Sequence, residues 1–172
     1  MSPRRQRLLT IVLMGVAGVG KSSVMAALQR QLGWPTLEGD SLHAPGNVAK
    51  MATGVPLTDA DRLPWLRAIS EWIGDREAER SSSIVTCSAL RRAYRDELRR
   101  GHASVWFIHL VAPPDVLERR IRSREGHYMP ASLLDSQLAT LEPLGRDEPG
   151  SVVDAAPSPE AIAERIIDAL RL

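Results

Sequence analysis

Along the chain, short apolar runs alternate with longer stretches whose apolar residues recur every three or four positions. Leu8 to Met14 is almost wholly apolar and partly β-branched, which suits a central strand buried on both faces. Val24, Leu28 and Leu32 then fall on one face of a predicted helix over Lys21 to Leu32, and Gly33 suits its positive-φ cap. Thr36 to Glu38 is a short candidate strand, followed by Gly39 and Asp40. Residues 41–57 read as a loop holding a short helix. A longer helix starts near Thr58 to Asp61, with Pro64 expected in its first turn, where no N–H is missed, and with Leu66, Ile69 and Ile73 on one face. Ser83 to Cys87 is a third strand, Arg91 to Arg100 a basic helix and Ser104 to Leu110 a fourth strand. Pro114 opens a helix running to about Arg124, and Ser151 to Asp154 is a candidate fifth strand. Ser158-Pro159-Glu160 starts a last helix that turns Ile162, Ile166 and Leu170 inward. This alternation predicts an α/β fold: a five-stranded parallel sheet flanked by helices on both faces.

Composition narrows the picture. The 172 residues suffice for a single domain over 1–172 with its own core. Lys+Arg is 22 and Asp+Glu 21, a net charge of +1 that gives no overall pull towards nucleic acid. The one cysteine excludes an internal disulfide framework and suits a reducing cytoplasm. No run reaches the roughly 18 apolar residues of a membrane span. Arg4, Arg5 and Arg7 ahead of Leu8 to Met14 resemble the opening of a secretion signal, but the apolar run is short and passes straight into a glycine-rich loop.

That loop carries the chemistry. Gly15-Val16-Ala17-Gly18-Val19-Gly20-Lys21-Ser22 matches G-x-x-x-x-G-K-[ST], after a strand and into a helix. Its glycines let successive N–H groups turn inward on an anion, and the helix N-terminus adds unpaired donors. Lys21 brings a charge to the β- and γ-phosphates, and the Ser22 hydroxyl suits Mg²⁺. A dinucleotide loop fits less well, because the glycines run G-x-x-G-x-G and Lys21 stands where close helix packing favours a small residue. No N-K-x-D base-reading motif of Ras-type GTPases is present, and Asp147 to Gly150 fits D-x-x-G only by chance spacing.

The third strand ends in Thr86-Cys87, without the acid of a Walker B strand, which leaves Asp40 as the obvious carboxylate. It would take a proton from an acceptor hydroxyl, or hold Mg²⁺ through water, or merely cap a turn. Arg120 and Arg124 share a helix face and are candidates for stabilising the transferred phosphoryl group, against the alternative of a solvated basic helix end. Arg91 and Arg92 follow a strand end and suit an anionic substrate, whereas Arg95, Arg99 and Arg100 read as surface. His43 is either a substrate contact or a loop histidine, and Cys87 reads as a buried small side chain.

These residues resemble the bacterial-type gluconokinases. The carriers are residues 14–22, Glu38-Gly-Asp-Ser-Leu-His43, Asn47 to Met51, Pro56 to Leu66, Cys87-Ser-Ala-Leu-Arg-Arg92 with Ala93 to Asp96, and Gly126-His-Tyr-Met129 through Gln137-Leu-Ala-Thr-Leu-Glu-Pro143. The resemblance implies a P-loop kinase fold with a lid at roughly 120–140, and ATP- and Mg²⁺-dependent phosphorylation of D-gluconate at its 6-hydroxyl. It implies a homodimer, with no nucleic-acid or membrane partner. It places ATP phosphates on residues 15–22, the substrate hydroxyl at Asp40, and adenine and phosphate contacts at Arg120 and Arg124. Lys21, Asp40 and Arg124 are then the catalytic candidates, and Ser22 and Asp40 the metal candidates. Arg62, Lys50, Arg91 and Arg92 remain alternatives for the substrate carboxylate. Ala17, Val19 and Ser23 replace residues that are commonly serine, serine and threonine in the family, which removes side-chain help but leaves the backbone cradle. A kinase for another small anionic acceptor, such as shikimate, and a nucleotide sensor without transfer are the rival readings.

Overall fold

Every residue of β1 (Thr10–Met14) is buried because β1 is the middle strand of the sheet. The computed structural model describes residues 7–124 and 131–172. The sheet is completed by β2 (Thr36–Glu38), β3 (Ser83–Thr86), β4 (Val105–Val111) and β5 (Gly150–Asp154). All pairings are parallel, in the order β2-β3-β1-β4-β5, and Ile11 lies level with Ile84 on one side and Trp106 on the other.

The helices are α1 (Lys21–Leu32), α2 (Pro45–Ala52), α3 (Asp59–Ala78), α4 (Arg92–Arg99), α5 (Pro114–Arg122), α6 (Ala131–Thr140) and α7 (Pro159–Leu170). The crossover carrying α1 runs outward from β1 to β2, whereas those carrying α3 and α4 run the opposite way. Right-handed crossovers of opposite direction place their helices on opposite faces of a sheet. The packing agrees: α1 lies against α7, and α3 lies against α4. The direction of travel reverses beside β1, so the crevice of the switch point opens at the C-terminal ends of β1 and its neighbours.

The expected strands and helix starts are present. Thr58 caps α3 reciprocally: its hydroxyl accepts the Asp61 N–H at 3.1 Å, and the Asp61 carboxylate accepts the Thr58 N–H at 3.0 Å. Ser158 caps α7 through the Ala161 N–H at 3.2 Å, and Gly33 ends α1 with φ 68°.

Three expectations are corrected or extended. Pro64 does not sit in the first turn of α3, because the helix already begins at Asp59. It occupies the second turn, where it leaves the Ala60 carbonyl without its helical donor. Residues 131–140 form a helix, and Leu133 and Leu134 seat it in the core. Of the rest of the expected lid, residues 120–122 end α5 and residues 125–130 lie outside the described residues. Arg95 is not a surface residue: it is fully buried. Its guanidinium meets Glu148 at 2.6 Å and 3.0 Å and donates to the carbonyls of Ala89 (2.9 Å), Glu142 (3.1 Å) and Pro143 (3.4 Å). A planar five-donor fork is the side chain that satisfies so many buried acceptors at once.

Burial alone pushes the Glu148 carboxyl up, but Arg95 and the Gly145 amide outweigh it and hold the pKa below the ordinary value. Glu148→Gln is expected to cost about 3–5 kcal/mol in urea unfolding, because it strips a buried cation of its counter-charge. A doubly apolar Arg95→Met, Glu148→Leu protein should recover most of that loss.

Candidate active site

The phosphate loop is built by close approach. Gly15 has φ 140°, and a Cβ there would stand 2.7 Å from the Leu110 carbonyl oxygen, so only glycine passes. Val16 and Val19 bury their side chains in the core and turn the loop backbone outward. Three loop amides are already used: Gly15 N–H donates to the Ser88 carbonyl at 3.2 Å, Val19 N–H to the Val16 carbonyl at 3.4 Å, and Ala17 N–H to Gln137 Oε1 at 2.7 Å. Among the described residues the amides of Gly18, Gly20, Lys21 and Ser22 have no protein acceptor, and they form the anion cradle at the start of α1. Lys21 Nζ donates to the carbonyls of Gly15 (2.8 Å) and Val16 (3.0 Å). Burial pushes its pKa down, while the Asp40 carboxylate pulls the other way.

Asp40 reaches the same crevice from the edge strand. After β2 the chain turns through Gly39–Leu42, and a Cβ on Gly39 would lie 2.1 Å from the Thr86 carbonyl oxygen. The Gly39 N–H donates to Thr86 Oγ1 at 3.2 Å, and its carbonyl accepts from Trp65 Nε1 at 2.7 Å. Thr86 Oγ1 in turn donates to the Glu38 carboxylate at 2.6 Å. The turn is thus fixed to β3 and α3. His43 stacks on Trp65, with centroids 4.1 Å apart, and presents Nε2 3.6 Å from Asp40 Oδ1. The Asp40 side chain is exposed and faces the crevice beside Lys21. Crowding by the surrounding protein pushes its pKa up, but the His43 side chain and the Lys21 ammonium prevail and hold it below the usual aspartate value. Cys87, beneath the site, is buried, and its thiol is pushed up to about 12, chiefly by that burial.

Among the described residues, two cavities flank the loop. One, of about 260 Å³, is lined by Gly18, Val19, Gly20, Ser23, Arg120 and Arg124, with Pro157, Pro159 and Ile162 as an apolar wall. The other, of about 70 Å³, is lined by Ala17, Lys21, Asp40, His43 and Arg62, with Met51 and Leu57 on one side and Leu133, Ser136 and Gln137 on another. Arg120 braces the first cavity, donating to the carbonyls of Val19 (3.2 Å) and Ala155 (2.8 Å). The exposed Ser22 side chain stands at the start of α1.

Lys50 and Arg91 are not in the lining. Lys50 pairs with Asp61 at 3.0 Å and Arg91 with Asp59 at 3.4 Å, while Arg92 pairs with Asp147 at 2.7 Å. Arg62 lines the second cavity with no carboxylate partner among the described residues; its Nε donates to the Leu57 carbonyl at 3.4 Å, and its head lies 5.4 Å from the centre of the Tyr94 ring. Sequence reasoning gave no role to Gln137 or Glu142. The three- and four-residue spacing of Leu134, Leu138 and Leu141 carries the helical signal that would have placed Gln137 on the cavity side.

A family profile described as an AAA domain matches residues 10–144. A gluconokinase of Gluconobacter oxydans is 47 % identical over 157 residues, covering 91 % of this chain and 88 % of that protein. The crystal structure of a sugar kinase from a Janibacter species superposes with a TM-score of 0.90 at 48 % identity, covering 95 % of each chain. That of a gluconokinase from Sinorhizobium meliloti superposes with a TM-score of 0.82 at 42 % identity, covering 96 % of this chain and 97 % of its own.

Proposed function

Because the chain belongs to the gluconokinase family of P-loop kinases, we propose that it transfers the γ-phosphoryl group of ATP to the 6-hydroxyl of D-gluconate, giving 6-phosphogluconate and ADP. The observation that carries this reading is the placement of the phosphate loop between two cavities, one bearing Arg120 and Arg124 and the other Asp40. The 260 Å³ cavity takes the nucleoside, its base against Pro157, Pro159 and Ile162. The triphosphate lies along the open amides of Gly18, Gly20, Lys21 and Ser22, and Lys21 exchanges its loop carbonyls for phosphate oxygens. The acceptor enters beside Asp40, whose carboxylate takes the hydroxyl proton as oxygen attacks phosphorus in line. Arg124 supplies positive charge from the nucleotide side.

The residues present fit Mg²⁺, since the exposed Ser22 hydroxyl and the exposed Asp40 carboxylate both border the phosphate loop. Ser22 would hold the ion directly and Asp40 through water, the sparse protein ligation this ion favours, and the ion would supply positive charge against the triphosphate.

Arg62 is the gluconate carboxylate partner in this reading, since Lys50, Arg91 and Arg92 are already paired. Losing a charge-assisted bond of about 1.5–3 kcal/mol in Arg62→Ala raises the gluconate KM about 10- to 100-fold, with the ATP KM little changed. An unchanged gluconate KM would remove Arg62 from the acceptor site. The reaction itself is tested by following product with ATP and a panel of sugar acids by phosphorus NMR: 6-phosphogluconate should form in preference to other esters. A homodimer is part of the same proposal, and sedimentation of the purified protein reads it out.

A further inference from the structure

We infer that Gln137, on α6, is a positioning residue that holds the phosphate loop and the acceptor wall in register during transfer. The inference rests on the kinase reading above. Gln137 lies 120 residues from Ala17 along the chain, yet its Oε1 accepts the Ala17 N–H at 2.7 Å. Ala17 belongs to the acceptor cavity, whereas Gly18, Val19 and Gly20 face the nucleotide cavity. The bond therefore does not compete with the open amides that take the phosphates. Gln137, Ser136 and Leu133 also form the part of the acceptor wall contributed by α6.

The end of α6 is fixed independently. The Glu142 carboxylate accepts the Arg92 N–H at the start of α4 at 2.7 Å, and the Glu142 N–H donates to the Leu90 carbonyl at 2.7 Å. Arg95 grips the Glu142 and Pro143 carbonyls from below. With α6 anchored to the acceptor side at one end, the Gln137–Ala17 bond ties that helix directly to the donor loop. It sets the gap between them. Reacting groups misplaced by about 1 Å can lose about a hundredfold in rate, and a widened gap admits water as a competing acceptor.

The test uses Gln137→Met, which keeps the length and loses the acceptor oxygen, and Gln137→Ala, so that one misfolded variant does not decide the matter. Phosphogluconate and ADP are both measured with the intact protein, ATP, Mg²⁺ and gluconate, and folding is checked by circular dichroism. The expected result is a kcat about 10- to 100-fold lower, an ATP KM within about threefold of the parent, and more than one ADP released per phosphogluconate formed. A folded variant with parental kcat and one ADP per product overturns the inference. So does a loss of rate with the ratio still at one and the ATP KM raised in proportion, since that is damage to the loop itself. Failure of the parent protein to phosphorylate gluconate would strike the functional reading, not the role of Gln137.

Discussion

A Lys21→Ala protein will fold and will turn over at least about 10³-fold more slowly than the parent. The fold survives because the side chain contributes little to the core: among the described residues its ammonium bonds only to the carbonyls of Gly15 and Val16, and the loop is held by the buried Val16 and Val19. The rate does not survive, because Lys21 is the cation whose ammonium lies on the phosphate loop itself, against the carbonyls of Gly15 and Val16. Among the described residues Arg124 lines the nucleotide cavity, and Arg62 lines the acceptor cavity without a bond to the loop backbone. The measurement is a steady-state assay beside thermal unfolding of the same preparation. A folded Lys21→Ala protein with near-parental turnover would contradict the assignment of the phosphate loop.

Asp40→Asn is expected to lower kcat by about 10²–10⁴-fold, the usual contribution of a positioned general base, while the ATP dissociation constant stays near the parental one. Asparagine keeps the shape of the turn, which Gly39, Trp65 and Thr86 hold without help from the carboxylate. The parent's pH profile carries the same signature. The active form is the ionised carboxylate, and its pKa lies below the ordinary aspartate value of 3.8. The acid limb of kcat/KM, which reads the free enzyme, should therefore fall below that value, with no loss near pH 5. Burial lowers the Lys21 pKa, so the alkaline limb should begin earlier than an exposed lysine near 10.5 would give. A rate that halves between pH 5 and 6 would remove Asp40 as the base, as would a parental kcat in Asp40→Asn.

The sequence displayed the elements whose information is local. The Leu8 to Met14 run, the glycine-lysine-serine loop and the Ser158-Pro159 helix start each state their conformation in a few adjacent residues. Asp40 could be placed in the crevice because strands of a parallel sheet deliver their C-terminal ends to one side. What stayed hidden depends on residues far apart. Arg95 looks like one of a basic cluster until Glu148, 53 residues away, turns out to be its buried partner. Choosing among Arg62, Lys50, Arg91 and Arg92 required knowing which acids stand beside them, and Asp59, Asp61 and Asp147 each claim one. Gln137 was unreadable for the same reason: an exposed-looking amide acquires its role only from a backbone N–H that the fold brings to it.

The strand order has a consequence for how the molecule is made. The phosphate loop and Asp40 both lie within the first forty residues, yet β1 and β2 do not touch; the slot between them belongs to β3, ending at Thr86. A nascent polypeptide leaving the ribosome therefore carries both halves of the site for more than forty residues of synthesis before the wedge that unites them arrives. The nucleotide cavity is completed later still, when Arg120, Pro157 and Ile162 have followed.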